Sequence, residues 1–164
     1  MLRLSAFLAA VWIAAPVSLM AQESPPKPPL GLPPVPFPAD NPYSVARAEL
    51  GRYLFFDPRL SIDGMVSCAS CHRPEWGYAG GLPAPRGVTV QPLPRRAPTL
   101  INRAYGRSQF YDGRAASLED QVHVPVANPN EMGSSQQASA EAISKIPGYA
   151  PLFAQAFGDS QVTF

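Results

Sequence analysis

Residues 66–72 of the 164-residue chain read VSCASCH, with thiols at Cys68 and Cys71 and an imidazole directly after the second thiol, at His72. Two thiols three positions apart can add to the two vinyl groups on one edge of a porphyrin, which leaves the adjacent histidine under the iron. The C-x-x-C-H pattern therefore predicts a covalently attached haem c held by Cys68 and Cys71, with His72 as the proximal iron ligand.

Other uses of paired cysteines fit this stretch less well. A C-x-x-C redox pair is typical of a βαβ context, which the sequence lacks, and a four-ligand zinc site needs more ligands than the chain supplies. The second histidine of the chain, His123, is the one further Cys or His that could contribute. Two cysteines in an exported protein can also form a disulfide, but the histidine that follows them directly favours haem.

The N-terminus has the features of an export signal. Residues 1–21 carry Arg3 and then an apolar run, which predicts a cleaved signal peptide and a periplasmic protein without a membrane span; an uncleaved anchor is the weaker alternative. Residues 22–40 are rich in proline, which favours extended polyproline II and predicts a semi-rigid linker rather than a partner-docking strip. The net charge is +1 with no block of like charge, so no nucleic-acid partner is expected.

From Asn41 to residue 164 the pattern predicts a mainly α domain with extensive irregular loops and no strand. Residues 57–114 are rich in Gly, Pro and Arg and show no sustained periodicity. An irregular stretch of this length needs an organiser other than side-chain packing, and a large buried cofactor would supply it. The predicted helices run from a Ser44 cap to about Phe56, over 117–124 with Pro125 as the stop, and over 139–146 and 149–157.

Five separated blocks resemble the bacterial di-haem cytochrome c peroxidase family, which includes the MauG-type oxidases. Their order and spacing are similar to those of the family's N-terminal, peroxidatic haem domain, which has a cytochrome c-like fold. The family carries a second c-type haem in a C-terminal domain, whereas this chain has one C-x-x-C-H, so the resemblance implies one haem c and half of a di-haem protein. The blocks are ELGRYLFFDPRLS (49–61), VSCASCH (66–72), RRAPTLIN (95–102), SQFYDGRAASLEDQ (108–121) and PVANPNEM (125–132).

The resemblance also implies roles for residues outside the attachment motif. Gln121 and Glu131 match the family's catalytic distal pair, in which a carboxylate takes a proton from bound peroxide and returns it to the leaving oxygen while the amide steers the peroxide. Pro125 matches a proline that lines the same pocket. Tyr111 stands where the family usually has a Trp between the two haems, which makes it a candidate electron relay, with simple aromatic packing as the alternative.

Two positions depart from the family pattern. The histidine that caps the resting iron in well-known members falls here at Val88, so we expect an iron that is five-coordinate or weakly water-bound, as the resemblance to MauG-type oxidases implies. Arg96 stands where the family often has an Asn linked to an interdomain calcium, which leaves calcium doubtful.

A group of arginines lies in the irregular part of the chain. Haem propionates suit arginine forks, so we expect one or two of these residues to bind propionates and the rest to be solvated or paired with acids such as Asp112. They are Arg86, Arg95, Arg96, Arg103, Arg107 and Arg114.

Three functions are compatible with these features. The favoured one is a haem-dependent oxidoreductase, a cytochrome-c peroxidase that reduces hydrogen peroxide with electrons from a small cytochrome or cupredoxin. The first alternative is a MauG-type oxidase of a protein substrate. The second is a mono-haem c-type electron-transfer protein, which would need a strong sixth iron ligand from Met65, Met132 or His123.

Overall fold

A computed structural model of the chain describes residues 24–81, 85–89 and 91–164; the predicted signal peptide lies outside these residues. Within them the chain is mainly helical, with isolated β-bridges and no strand, which confirms the predicted fold class. None of the described helices has the length and continuous apolar character needed to span a bilayer. The α-helices are α1 Val45–Phe56, α2 Cys68–Cys71, α3 Leu118–Ala127, α4 Gln136–Ser144 and α5 Tyr149–Phe157, and three 3-10 turns lie at Pro58–Leu60, Pro74–Trp76 and Arg103–Tyr105.

Three of the helices begin at a serine that caps their free backbone N–H groups. The hydroxyl of Ser44 accepts from the N–H of Arg47, and Ser117 accepts from Asp120, as the sequence predicts. Helix α4 begins three residues before its predicted start, because Ser135 supplies the cap by accepting from the N–H of Ala138 at 3.1 Å.

Helix α3 does not end at Pro125, so that part of the prediction is wrong. Pro125 has no backbone N–H and cannot donate to the carbonyl of Gln121. The helix nevertheless continues to Ala127, and the N–H of Asn128 donates to the carbonyl of Val124 at 2.9 Å. The following loop then folds back on the helix, because the N–H of Met132 donates to the carbonyl of Pro125 at 3.2 Å. The loss of one hydrogen bond is thus offset, and Glu131 is held against the end of α3.

The hydrophobic core lies between α1, α4 and α5. It consists of Leu50, Ile143, Tyr149, Phe153 and Ala156. The described residues from 58 to 114 include no buried Leu, Ile, Val, Met, Phe, Tyr or Trp. This agrees with the expectation that side-chain packing alone does not organise that stretch.

A buried carboxylate ties the end of α1 to α5. The Arg59 guanidinium donates to the two carboxylate oxygens of Asp57 at 2.6 and 2.8 Å, and the Tyr149 hydroxyl donates to one of them at 2.7 Å. The hydrogen bond from Arg59 contributes most to lowering the pKa of Asp57, to about 2, although burial acts in the opposite direction. Burial and the bond to Asp57 raise the pKa of Tyr149. The hydrogen bond between Tyr149 and Asp57 therefore holds the first residue of the irregular stretch against α5.

The substitution Tyr149→Phe is expected to lower the free energy of unfolding by about 2 kcal/mol, because a buried ionised acceptor loses a donor. Urea denaturation at neutral pH measures the loss, and Tyr43→Phe is the matched control, since the Tyr43 ring packs on Phe37. An unchanged unfolding midpoint would show that Arg59 satisfies Asp57 alone.

The same contact predicts a pH dependence for the wild-type chain. A carboxyl whose pKa is lowered on folding contributes stability that is complete above its unfolded value of 3.8 and is lost as the pH falls towards about 2. The unfolding midpoint of the wild type should therefore fall with the pH across this range more steeply than that of an Asp57→Asn variant.

Candidate haem site

The two cysteines lie on a single helical turn. Helix α2 spans Cys68–Cys71, and the N–H of His72 donates to the carbonyl of Cys68 at 2.9 Å, so the turn continues into the histidine. Residues three apart on such a turn share a face, and both thiols are half-buried and free. Burial raises the pKa of both thiols. The turn therefore presents two neighbouring protonated thiols beside an imidazole.

The His72 ring is oriented by two backbone carbonyls. Its Nδ1 lies 3.1 Å from the carbonyl oxygen of Tyr78 and 3.0 Å from that of Pro98. Carbonyls only accept hydrogen bonds, so in the neutral ring the proton belongs on Nδ1 and the lone pair on Nε2. This arrangement of a ring N–H on a backbone carbonyl is typical of histidines that ligate a metal through the other nitrogen.

The two carbonyls reach His72 because two distant segments meet beside it. Tyr78 has a left-handed φ of 56° within a turn in which its N–H donates to the carbonyl of Arg73 at 2.8 Å. The N–H of Gly80 donates to the carbonyl of Ala97, and the Thr99 hydroxyl donates to the carbonyl of Gly77 at 2.6 Å. No pattern in the sequence predicts these contacts, which explain why the segment RRAPTLIN accompanies the attachment motif.

Glu131 lies near the same motif. Its carboxylate is half-buried and accepts from the amide of Asn128 at 2.9 Å. Burial raises the pKa of Glu131, which the Asn128 bond and the charges of Arg114 and His72 oppose. The charge of Glu131 in turn raises the pKa of Cys71. The Glu131 carboxylate is thus within electrostatic range of Cys71 and His72.

The short segment Arg86–Val88 contacts both parts of the site. The carbonyl of Arg86 lies 4.0 Å from the sulfur of Cys71, and the N–H of Val88 donates to the carbonyl of Glu131 at 2.8 Å. A Cβ at Gly87 would meet that carbonyl at 2.2 Å, so only glycine permits the approach. Val88 therefore lies beside Glu131.

A change at Asn128 should shift the protonation of Glu131. In Asn128→Asp the amide donor becomes a carboxylate, and the like charge is expected to raise the pKa of Glu131 by about one unit. If Glu131 acts as a base, the acid limb of the rate of peroxide reaction should move to higher pH by the same amount. A superimposable pH profile would contradict this, and Asn130→Asp, at a neighbouring exposed position, is the control.

The remaining predicted site residues are placed as follows. Gln121 and Pro125 are half-buried and lie one helical turn apart on α3, and within the described part of the chain no direct hydrogen bond joins Gln121 to Glu131 or His72. The side chain of Tyr111 is 64% exposed, and its hydroxyl donates to the carbonyl of Arg96 at 3.4 Å.

The candidate sixth ligands have other surroundings. Met132 is buried, and its backbone carbonyl accepts from the N–H of Ile62 at 2.9 Å. The Nδ1 of His123 lies 2.7 Å from the amide nitrogen of Gln136. Met65 is almost fully exposed. Of the arginines, Arg95 and Arg114 pair with Asp112, at 3.8 and 2.9 Å.

These observations fit a covalently bound haem. The thiols of Cys68 and Cys71 are unpaired, His72 presents Nε2, and the surrounding stretch lacks a hydrophobic core of its own. Partly exposed apolar side chains flank the motif, among them Tyr78 and Ile101. Such side chains are suited to cover an apolar cofactor.

Comparison with known proteins gives a consistent result. The family model for di-haem cytochrome c peroxidase matches residues 45–164. The chain is 47% identical over 127 residues to the methylamine utilization protein MauG of Methylorubrum extorquens, covering 77% of this chain and 36% of that protein. It is 40% identical over 128 residues to the cytochrome c551 peroxidase of Nitrosomonas europaea, covering 78% of this chain and 38% of that protein.

A solved structure is similar as well. A MauG-like protein associated with microbial copper homeostasis superimposes with a TM-score of 0.75 at 34% identity, covering 83% of this chain and 41% of that chain. The chain thus spans about two fifths of the length of the relatives that it matches. Since the family model covers most of the chain, including the cysteine pair, His72 and Glu131, the protein belongs to the di-haem cytochrome c peroxidase family.

Proposed function

We propose that this chain is an exported, periplasmic haem domain that reduces hydrogen peroxide with electrons from a small redox protein, a cytochrome or a cupredoxin. The observation that carries the proposal is the convergence of two groups on the Arg86–Val88 segment. One is the attachment turn with His72, whose Nδ1 is occupied by carbonyls. The other is Glu131, whose backbone carbonyl accepts from the N–H of Val88 and whose carboxylate is half-buried.

In this proposal Cys68 and Cys71 bind the haem covalently and His72 ligates the iron through Nε2. When bound, haem supplies the redox-active iron at which the O–O bond of peroxide is cleaved with two electrons. The carbonyls of Tyr78 and Pro98 fix the plane of the His72 ring and increase the electron density on Nε2, since they accept a hydrogen bond from the Nδ1–H group.

Glu131 would move the protons of the reaction. Burial raises the pKa of its carboxyl above the ordinary value, which makes the carboxylate a stronger base. Its carboxylate would take a proton from one peroxide oxygen and deliver it to the leaving oxygen. The amide of Gln121 would orient the peroxide, and Pro125, on the same face of α3, would line that pocket.

The side chain at position 88 supports an accessible iron. Valine has no group that can ligate a metal, and its backbone N–H is held by the carbonyl of Glu131. Met132 lies in the interior and His123 is near Gln136. These placements favour a reactive iron over the closed, six-coordinate iron of an electron carrier. Calcium stays outside the proposal, because Arg96 replaces the usual Asn.

A second candidate function is supported by the 47% identity to MauG of Methylorubrum extorquens. In this alternative the same site would oxidise a protein substrate. An exposed aromatic side chain such as Tyr111 would pass electrons from that substrate to the haem site. Loss of the phenolic proton to solvent would have to accompany each oxidation of Tyr111.

An optical experiment on the haem-loaded chain tests the proposal. A high-spin ferric spectrum that changes on addition of hydrogen peroxide is expected, and a low-spin spectrum that peroxide leaves unchanged would contradict it and favour an electron carrier. Steady-state oxidation of a reduced cytochrome by peroxide then separates the peroxidase from the protein-oxidising alternative.

A further inference from the structure

We propose that Trp76 is a surface electron relay through which phenolic reductants, anionic ones in particular, donate electrons to the haem site. This inference rests on the proposed peroxidase function and adds a substrate class to it. Trp76 belongs to the 3-10 turn Pro74–Trp76, which follows His72. It is not part of the attachment motif or of the distal pair Gln121 and Glu131.

The Trp76 indole is both exposed and held in place. Its side chain remains 42% exposed. The ring lies against Gly81, where a Cβ would approach ring atoms to within 1.9 Å, so only glycine permits this packing. The Arg73 guanidinium lies over the ring at 4.7 Å from its centroid. A fixed aromatic ring with an exposed edge is suited to contact a dissolved reductant.

A continuous set of bonds links this indole to the iron ligand. The backbone N–H of Trp76 donates to the backbone carbonyl of Arg73 at 3.1 Å, which makes Pro74–Trp76 a tight turn. Two residues further along, the carbonyl of Tyr78 accepts from Nδ1 of His72. The path from Trp76 to the imidazole therefore consists of two residues of backbone and one hydrogen bond.

The turn also limits the distance. Neighbouring Cα atoms are 3.8 Å apart, and the ends of a four-residue turn lie within 7 Å, so the Cα atoms of His72 and Trp76 are at most about 11 Å apart. The backbone therefore attaches the indole and the imidazole within that distance of each other. Tyr111, the other candidate relay, has no contact of this kind with His72; its hydroxyl bonds the carbonyl of Arg96.

The reaction balances with a phenol as the co-reactant. Trp76 loses one electron to the oxidised centre ligated by His72 and releases its Nε1 proton to water; a phenol then returns one electron and one proton and leaves as a phenoxyl radical. Two such cycles give H₂O₂ + 2 ArOH → 2 H₂O + 2 ArO•. The Arg73 side chain, whose nearest carboxylate is that of Glu75 at 3.9 Å, attracts reductants that carry a carboxylate.

The test compares Trp76→Phe with a matched control in the full haem-loaded chain. Tyr53→Phe serves as the control because the Tyr53 ring is 45% exposed and lies under Arg52 at 4.5 Å, but belongs to α1. Ferulate and its neutral methyl ester are the reductants. In Trp76→Phe, ferulate oxidation should fall by about tenfold or more while the direct spectral response to peroxide is retained.

A second readout is independent of turnover. Peroxide is added without reductant and with a nitroso spin trap, and mass spectrometry of peptides should locate the adduct on Trp76 in the wild type and in Tyr53→Phe. In Arg73→Gln the preference for ferulate over its ester should fall by about twofold to fivefold. Absence of the adduct from Trp76 in the wild type, together with unchanged ferulate oxidation in Trp76→Phe, would overturn the relay.

The two hypotheses fail in different ways. If the wild-type spectrum does not respond to peroxide, the proposed function fails, and the relay fails with it. If the spectrum responds but ferulate is oxidised equally by the wild type and Trp76→Phe and no adduct forms on Trp76, only the relay fails.

Discussion

Replacing Glu131 by glutamine is expected to slow the peroxide-driven change of the haem spectrum by about two to four orders of magnitude, because the site loses its general acid–base group. The amide oxygen of the new side chain can still accept from Asn128, so the loop that packs on α3 should keep its structure. The change therefore removes proton transfer while preserving shape. Stopped-flow absorbance of the ferric protein mixed with hydrogen peroxide measures the rate.

The control for this substitution is Glu141→Gln on α4. Glu141 is exposed and pairs with Lys145 at 2.8 Å, so its replacement repeats the chemical change at a residue outside the proposed haem site. The peroxide-driven change of the haem spectrum should be as fast in Glu141→Gln as in the wild type. A rate for Glu131→Gln within a factor of about two of the wild type would remove Glu131 from acid–base catalysis and leave Gln121 as the remaining distal candidate.

The double substitution Cys68→Ser with Cys71→Ser should abolish covalent haem attachment. The mass of the purified wild-type chain after denaturation should include one haem, and that of the variant should include none. Since residues 58–114 lack buried large apolar side chains in the described structure, this stretch should also become sensitive to protease. The α1–α4–α5 core should be protected for longer.

Ala69→Ser is the control for the cysteine variant, since it adds a polar group to the same helical turn and retains both thiols. It should bind haem covalently in full. Haem that stays attached to the double variant through denaturation would contradict the assignment of Cys68 and Cys71.

Local signals in the sequence were sufficient for most of the helices. The cap at Ser44 and the Pro147-Gly148 break predict the start of α1 and of α5 correctly, because caps and breakers act within a few residues. The prediction failed at Pro125, because the bonds that extend α3 come from a loop that returns to it. The four-residue helix α2 is too short to leave a periodic pattern.

The site shows the same division between local and distant contacts. The attachment motif is local and could be recognised from three residues, and the Asn128–Glu131 bond joins residues three apart. By contrast, the carbonyl of Pro98 reaches His72 from 26 positions away. No periodicity or spacing predicts that contact, since it depends on the pairing of two irregular segments.

The packing of α1 against α5 has a consequence for how this domain can vary. These helices close a loop made of residues 57–148. The entropy of closing a loop grows only with the logarithm of its length, so even a doubling would cost about 0.6 kcal/mol. Insertions at exposed positions of this loop, such as Arg107, should therefore leave the helical scaffold intact, and the irregular stretch can diverge in length and sequence without a matching change in the core.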